Sequence, residues 1–155
     1  IMCLILAGKV GSNIASELGT MRVTQQIDAL DIMGVNSANY LILPKLLGLV
    51  TMMPFLVVFS SAMGIVGAYS TAYVGHLLPP DDLTLGIQHS FNAWFIWMSI
   101  IKSMFFAFII ASVSSFFGYQ VEGGSVEVGK ASTDAVVCSS VLILFSDVFL
   151  TQLLS

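Results

Sequence analysis

The chain has 155 residues, of which 57% are hydrophobic and only 9% are charged, and its formal net charge is −4. Soluble domains carry about 25% charged residues, so this composition excludes an ordinary soluble domain, whose surface needs polar groups to cover it. The five Lys and Arg residues are outnumbered by nine Asp and Glu, which excludes a basic surface for nucleic acid. The composition therefore predicts a protein that lies largely in a lipid bilayer.

The chain begins with Ile1 inside an apolar run that no basic segment precedes. This beginning argues against a signal peptide, and we expect a longer membrane protein whose N-terminal part is missing from this sequence. The two cysteines, Cys3 and Cys138, both lie in apolar runs. They predict neither a disulfide framework nor a metal site.

Four stretches that carry almost no charge are long enough to cross a bilayer as helices. About 20 apolar residues span the hydrocarbon core, and helices satisfy their own backbone hydrogen bonds in lipid. The stretches are 1–21, 46–72, 91–117 and 135–154. The sequence thus predicts an all-α, polytopic membrane protein, a single transmembrane domain over 1–155 with four spans, or three and part of a fourth.

Three connections join these spans, and their charges predict the orientation of the protein. The connections are 22–45, 75–90 and 118–134. Arg22, Lys45 and Lys130 lie in the first and third connections, whereas the second, acidic connection has no Lys or Arg. Because cytoplasmic loops carry an excess of positive charge, we expect the first and third connections on the cytoplasmic side.

Small residues recur at every fourth position on two predicted spans, a pattern that lets helix backbones approach closely in lipid. The rows are Ser60, Gly64, Ala68 and Ala72 on the second span, and Ser103, Ala107, Ala111 and Ser115 on the third. Packing within one chain is the more common use of such rows, and a seam between two copies is the alternative.

Three charged residues lie inside predicted spans, where a charge near the bilayer centre costs about 2.5 to 3.5 kcal/mol. Counting ~1.5 Å per residue from the span ends places Lys9, Lys102 and Asp147 about 12 Å below the outer boundary. We therefore expect a polar patch at one depth. It is either an ion pair of Asp147 with Lys102 or Lys9 that locks the bundle, or part of a cavity whose surplus cation meets an anionic head group.

The segment 124–131 nearly matches the phosphate-binding loop G-x-x-x-x-G-K-[ST]. Ala131 stands where the Mg²⁺-binding hydroxyl belongs, and Glu127 would place a carboxylate against the phosphates. The mismatch favours a turn followed by a helix start. No other residues form a catalytic or metal-binding group, so the sequence predicts a non-enzyme that binds no cofactor itself, and it assigns no role to His76 or His89.

A short amphipathic helix is predicted over 24–33, within the first connection. Thr24 is its expected N-cap and Gly34 its expected stop, while Ile27 and Leu30 form an apolar edge. A helix of about 15 Å that lies across the inner ends of two spans suits a docking element. The alternative is a solvated helix that touches nothing.

This helix and its surroundings closely resemble the permease signature of the MlaE family, the membrane subunits of MCE-associated lipid ABC transporters. Gln25 stands where that family often has Glu, and Lys9 where many members have Arg. The resemblance covers essentially the whole chain. It is carried by AGKVGSNIASELGTMRVTQQIDAL (7–30), IKS (101–103), GYQVEGG (118–124), VGKASTDAVV (128–137) and DVFLT (147–151).

The resemblance implies the permease subunit of an ATP-binding-cassette transporter that moves phospholipids between the inner and outer membranes and so maintains outer-membrane lipid asymmetry. It implies a homodimer in the inner membrane of a Gram-negative bacterium, cytoplasmic ATPase subunits that bind ATP and Mg²⁺, and a periplasmic MCE-domain protein. It assigns Lys9, Lys102 and Asp147 to a lipid cavity. It assigns coupling to the ATPase to Glu17, Arg22, Gln26, Asp28 and Asp31.

Two other classes of function are open. One is a secondary transporter driven by protons, with Asp147 as the proton relay. That class calls for further intramembrane carboxylates and a broken-helix repeat, and such carboxylates are nearly absent here. The other is a membrane scaffold that transports nothing.

Overall fold

The computed structural model describes residues 1–155, and every regular element in it is a helix. The predicted all-α class is therefore confirmed. Seven α-helices and one π-helical segment follow in this order: α1 (Met2–Leu6), the π-helical segment (Ala7–Gly11), α2 (Ser12–Val23), α3 (Gln26–Ile32), α4 (Ser37–Gly75), α5 (Pro80–Ser90), α6 (Ala93–Tyr119) and α7 (Ser125–Leu154).

Three helices, α4, α6 and α7, are long and apolar enough to cross a membrane. Helices α4 and α7 contain the second and fourth predicted spans, and α6 contains the third from residue 93 on. The first predicted span, 1–21, is a continuous helical run from Met2 to Val23, in which the π-helical segment interrupts the α-helical hydrogen-bond pattern between α1 and α2. There the Ser12 hydroxyl donates to the Gly8 carbonyl at 2.6 Å, a local bond of the kind that bends helices. The count of long spanning helices is thus three, where the sequence predicted four.

The bundle is built around α6, whose small residues allow its neighbours to come close. Ser103, Ala107, Ala111 and Ser115 are at most 2% exposed. At Gly118, an added Cβ would lie only 2.7 Å from the carbonyl oxygen of Ala15 on α2. Packing within one chain therefore explains the row on α6, as predicted.

The equivalent row on α4 does not pack in this way. Gly64 and Ala68 are exposed, and a Cβ added at Gly64 would meet no atom within 4 Å. Large apolar side chains on the same helix are also exposed, among them Phe55 (74%) and Phe59 (65%). Contacts within the chain therefore do not account for the row on α4.

The acidic connection between the second and third spans contains a helix, α5. Pro80 occupies the first turn, where its fixed φ suits a helix start. Asp81 and Asp82 follow in the same turn, where negative charge is favourable. The hydroxyl of Tyr69 on α4 donates to Thr84 Oγ1 at 3.1 Å, which holds α5 against the end of α4.

The glycine-rich connection predicted over 118–134 is reduced to residues 120–124, because α6 continues to Tyr119 and α7 begins at Ser125. The Glu127 carboxylate accepts a hydrogen bond from the backbone N–H of Gly124 at 3.0 Å. The segment that resembled a phosphate loop is thus a turn and the first turns of α7, as expected.

Candidate functional site

An ion pair joins α6 to α7 inside the bundle. Lys102 Nζ lies 3.0 Å from Asp147 Oδ1, and the two side chains are 18% and 51% exposed. Lys102 Nζ also donates to Thr151 Oγ1 at 2.5 Å, and the Thr151 hydroxyl donates to the backbone carbonyl of Asp147 at 2.6 Å. The structure therefore forms the first of the two ion pairs that the sequence offered, and it adds Thr151, which lies one helical turn after Asp147.

A cavity of about 200 Å³ lies beside this ion pair. Lys102, Asp147, Ser99 and Ser103 provide its polar groups, and most of the other lining residues are apolar, Phe106 among them. Ligand pockets usually have about 300 to 1,000 Å³. The cavity of this chain is therefore smaller than a typical ligand pocket.

Lys9 does not join the pair. Its side chain is exposed, it forms none of the three ion pairs of the chain, and it does not line the cavity. Cys3 and Leu4 line the cavity, and Lys9 lies five to six residues farther along, about 8 to 9 Å at helical rise. Lys9 therefore lies outside the cavity and the ion pair, and its predicted depth relative to Lys102 and Asp147 stays a prediction.

The short helix α3 lies where α2 ends and α4 begins. This end of the bundle is predicted to be cytoplasmic and is called the inner end. Ile27 is fully buried, so α3 docks against the bundle, and the alternative of a helix that touches nothing is wrong. The predicted N-cap is also wrong. Gln25 holds that position with φ 61°, while the Thr24 hydroxyl donates to the carbonyl of Thr20 at 2.8 Å.

The end of α3 confirms the predicted stop at Gly34. This glycine has φ +79°, a conformation that other residues rarely adopt. Its N–H donates to the Asp31 carbonyl, and the N–H of Val35 donates to the Leu30 carbonyl, both at 3.1 Å. These two bonds form a Schellman motif, which fixes the direction of the chain as it enters α4.

The outward side of α3 carries three of the predicted coupling residues, Gln26, Asp28 and Asp31, all exposed. Beside them Ile32 is 86% exposed and Met33 69% exposed. Acidic groups around exposed apolar side chains are typical of a surface that another protein covers. The inner end of the bundle thus presents a surface of acidic and apolar side chains.

Arg22, a fourth predicted coupling residue, meets Asp28 across the α2–α3 turn. Arg22 Nη1 lies 3.4 Å from Asp28 Oδ1. The Arg22 guanidinium also stacks over the Tyr119 ring, 5.5 Å from its centroid. Sequence reasoning missed Tyr119, since a tyrosine at the end of an apolar span carries no charge to mark it.

Glu17, the remaining predicted coupling residue, lies on α2 and pairs with Lys45 of α4. Lys45 Nζ and Glu17 Oε2 are 2.6 Å apart. Lys45 was also missed, although it shares the first connection with Arg22 and could have been matched with a carboxylate of the neighbouring span. The pair holds the inner ends of α2 and α4 together.

These elements define a multi-pass helical membrane protein with an ion pair beside an apolar cavity and a small docking helix at one end. A family profile described as "Permease MlaE" matches residues 1–153. The chain therefore belongs to the MlaE permease family.

Curated relatives agree with this assignment. The chain is 37% identical to a probable ABC transporter permease protein of Rickettsia felis, over 97% of this chain and 58% of the relative. It is 33% identical to one of Synechocystis sp., over 97% and 57%. It is 31% identical to protein TRIGALACTOSYLDIACYLGLYCEROL 1, chloroplastic, of Arabidopsis thaliana, over 98% and 43%. The chain thus spans 43% to 58% of the length of these relatives.

Proposed function

We propose that this chain is part of the transmembrane permease subunit of an ABC transporter that moves phospholipids. The observation that carries the proposal is α3, which is anchored by the buried Ile27 yet exposes Asp31 and Ile32. A helix that merely closed a turn would not need an exposed apolar end. The relatives named as ABC transporter permeases support the same conclusion.

In this proposal, α3 is the contact for cytoplasmic ATPase subunits, which bind ATP and Mg²⁺ themselves, so that this chain is a non-catalytic subunit. Motion of the ATPase displaces α3. Since Arg22 joins α3 to α2, and α2 packs closely on α6 at Gly118, the displacement reaches the helix that carries Lys102. ATP binding can shift the equilibrium between two conformations of the bundle only through contacts that differ between them. The polar contacts of Arg22 and Lys102 are contacts of this kind.

The lipid occupies the cavity beside Lys102 and Asp147 in this proposal. The apolar lining suits acyl chains, and Lys102 can exchange its bond to Asp147 for one to a phosphate group, since both partners are anionic oxygens. The surplus cation Lys9, exposed and unpaired, meets the head group along its path. The Arabidopsis thaliana relative is named after a glycerolipid, which favours lipid as the cargo.

A second copy of the chain completes the cavity. At about 200 Å³ the cavity of one copy is too small for a phospholipid. Its rim at Leu144 continues into an apolar surface of α7 that includes Phe145 and Phe149, and a homodimer that meets along α7 would cover this surface. We place the complex in the inner membrane of a Gram-negative bacterium, with a periplasmic MCE-domain protein at its outer side and outer-membrane lipid asymmetry as its task.

The ATPase contact is tested by charge reversal in the full-length protein. We expect Asp28→Lys/Asp31→Lys to lose co-purification with the ATPase subunits and the stimulation of ATP hydrolysis by the permease. The matched control is Asp81→Lys/Asp82→Lys on α5, which makes the same charge change at the opposite end of α4 and is expected to keep both. Unchanged association of the α3 variant with the ATPase would rule out α3 as the contact.

A further inference from the structure

Three helices meet at the side chain of Tyr119, the last residue of α6. The Arg22 guanidinium of α2 stacks on its ring, 5.5 Å from the centroid, within the distance of a cation–π contact. Its hydroxyl lies 2.8 Å from Ser37 Oγ, and Ser37 is the first residue of α4. Tyr119 therefore touches α2 with its ring and α4 with its hydroxyl.

The hydrogen bond between Tyr119 and Ser37 is well protected. Ser37 is 1% exposed, and a buried hydroxyl that loses its partner pays the full cost of desolvation. The two hydroxyls are therefore expected to stay together. The start of α4 then follows the end of α6 when α6 moves.

The stack on Tyr119 also fixes Arg22, which is the only charged partner of Asp28 on α3. Gly118, the residue before Tyr119, packs against Ala15 of α2, so the ring has a fixed position relative to α2. A long arginine side chain on its own would sample many rotamers. The ring holds it in the one place from which it reaches Asp28.

We propose that Tyr119 is a positioning residue that holds Arg22 against α3 and ties the displacement of α3 to the first turn of α4. The inference rests on the proposed role of α3 as the ATPase contact. Glu17 and Lys45 join α2 to α4 independently, so the bundle does not depend on Tyr119 for its assembly. Loss of Tyr119 uncouples the motion and leaves the fold.

The test uses the full-length permease with its ATPase and periplasmic partners, reconstituted in phospholipid vesicles, and measures phospholipid moved per ATP hydrolysed. Tyr119→Leu removes both contacts and should lower this ratio about five- to tenfold, with co-purification of the ATPase unchanged. Tyr119→Phe keeps the ring and should recover most of the ratio, to within about two- to threefold of the unmodified protein.

The hydrogen bond is tested separately by a double-mutant cycle. Ser37→Ala should lower the ratio as Tyr119→Phe does, and the double variant should be no worse than either single one, because the three variants remove the same bond. This cycle tests the link between Tyr119 and α4 even if Tyr119→Leu assembles poorly.

An unchanged ratio in Tyr119→Leu would overturn the inference. So would a parallel fall of lipid movement and ATP hydrolysis at constant ratio, since that is the result of a merely structural role, and so would additive effects in the cycle. Failure of the proposed function has a different signature. The unmodified protein would then move no phospholipid with ATP, or charge reversal on α3 would leave the ATPase bound.

Discussion

Helices α4 and α6 carry the same spacing of small residues, yet only one of them uses it within the chain. On α6 the row is buried, and Gly118 leaves no room for a Cβ beside α2. On α4 the row is largely exposed, and Gly64 faces open space. A row of small residues thus predicts that a helix can be approached closely, but it does not predict by what.

The two helices also differ in the roles of their side chains. Helix α6 lies at the packed centre of the bundle. It carries Lys102 at the cavity and Tyr119 at the inner end of the bundle, and so connects the two regions. Helix α4 touches the centre along one side and presents Phe55 and Phe59 outward. We expect substitutions on α6 to disturb the fold and those on the outward side of α4 to be tolerated.

Gly118→Val should have the largest effect. Its side chain would overlap the Ala15 backbone, and overpacking of this kind costs about 3 kcal/mol when backbone must move. Gly64→Val on α4 is the matched control and should cost less than about 1 kcal/mol, because open space surrounds it. Thermal unfolding of the full-length protein in detergent measures both. Equal shifts of the unfolding temperature in the two variants would show that the rows on α6 and α4 are packed equally tightly in the full-length protein.

Lys102→Met should have a smaller effect on the same measurement. The substitution leaves Asp147 without its cation, and we expect a loss of about 1 to 3 kcal/mol, less than for a fully buried pair because Asp147 is half exposed. Lys45→Met on α4 is the control. Its pair with Glu17 is nearly as exposed, at 24% and 57%, but Lys45 has no third partner such as Thr151 and lies at the predicted membrane boundary, where water screens the pair. It should therefore be worth about 0 to 1 kcal/mol. A larger loss of stability in Lys45→Met than in Lys102→Met would contradict the expectation that substitutions on α6 cost more than those on α4.

Much of the fold was predictable, since apolar runs report membrane helices directly. The sequence placed α4, α6 and α7 by their charge-free stretches. It expected a turn and a helix start within 124–131, but it began the fourth span only at residue 135, because the first ten residues of α7, from Ser125 on, are polar. It also missed the π-helical segment within the first span, because composition does not distinguish a π-helical from an α-helical hydrogen-bond pattern.

The site was predictable where a charge stands in an apolar run. Lys102 and Asp147 were found in this way, and they pair. Tyr119, Ser37 and Thr151 were not, because neutral polar residues are common in membrane helices and acquire a role only through their neighbours in space. Lys9 was grouped with Lys102 and Asp147 by a count along the chain, but it neither pairs with Asp147 nor lines the cavity, because such a count gives no information on which way a side chain faces.

The central claim is that ATP drives a phospholipid through the cavity at Lys102 and Asp147, and lipid transfer tests it most directly. The full-length protein with its ATPase and periplasmic partners is reconstituted in vesicles, and transfer of labelled phospholipid is measured with ATP and with a proton gradient alone. We predict transfer with ATP only, lowered about tenfold or more in Lys102→Met and little changed in Lys130→Met, which replaces an exposed lysine that forms no ion pair. Transfer that follows the proton gradient without nucleotide, or that ignores Lys102, would contradict the account.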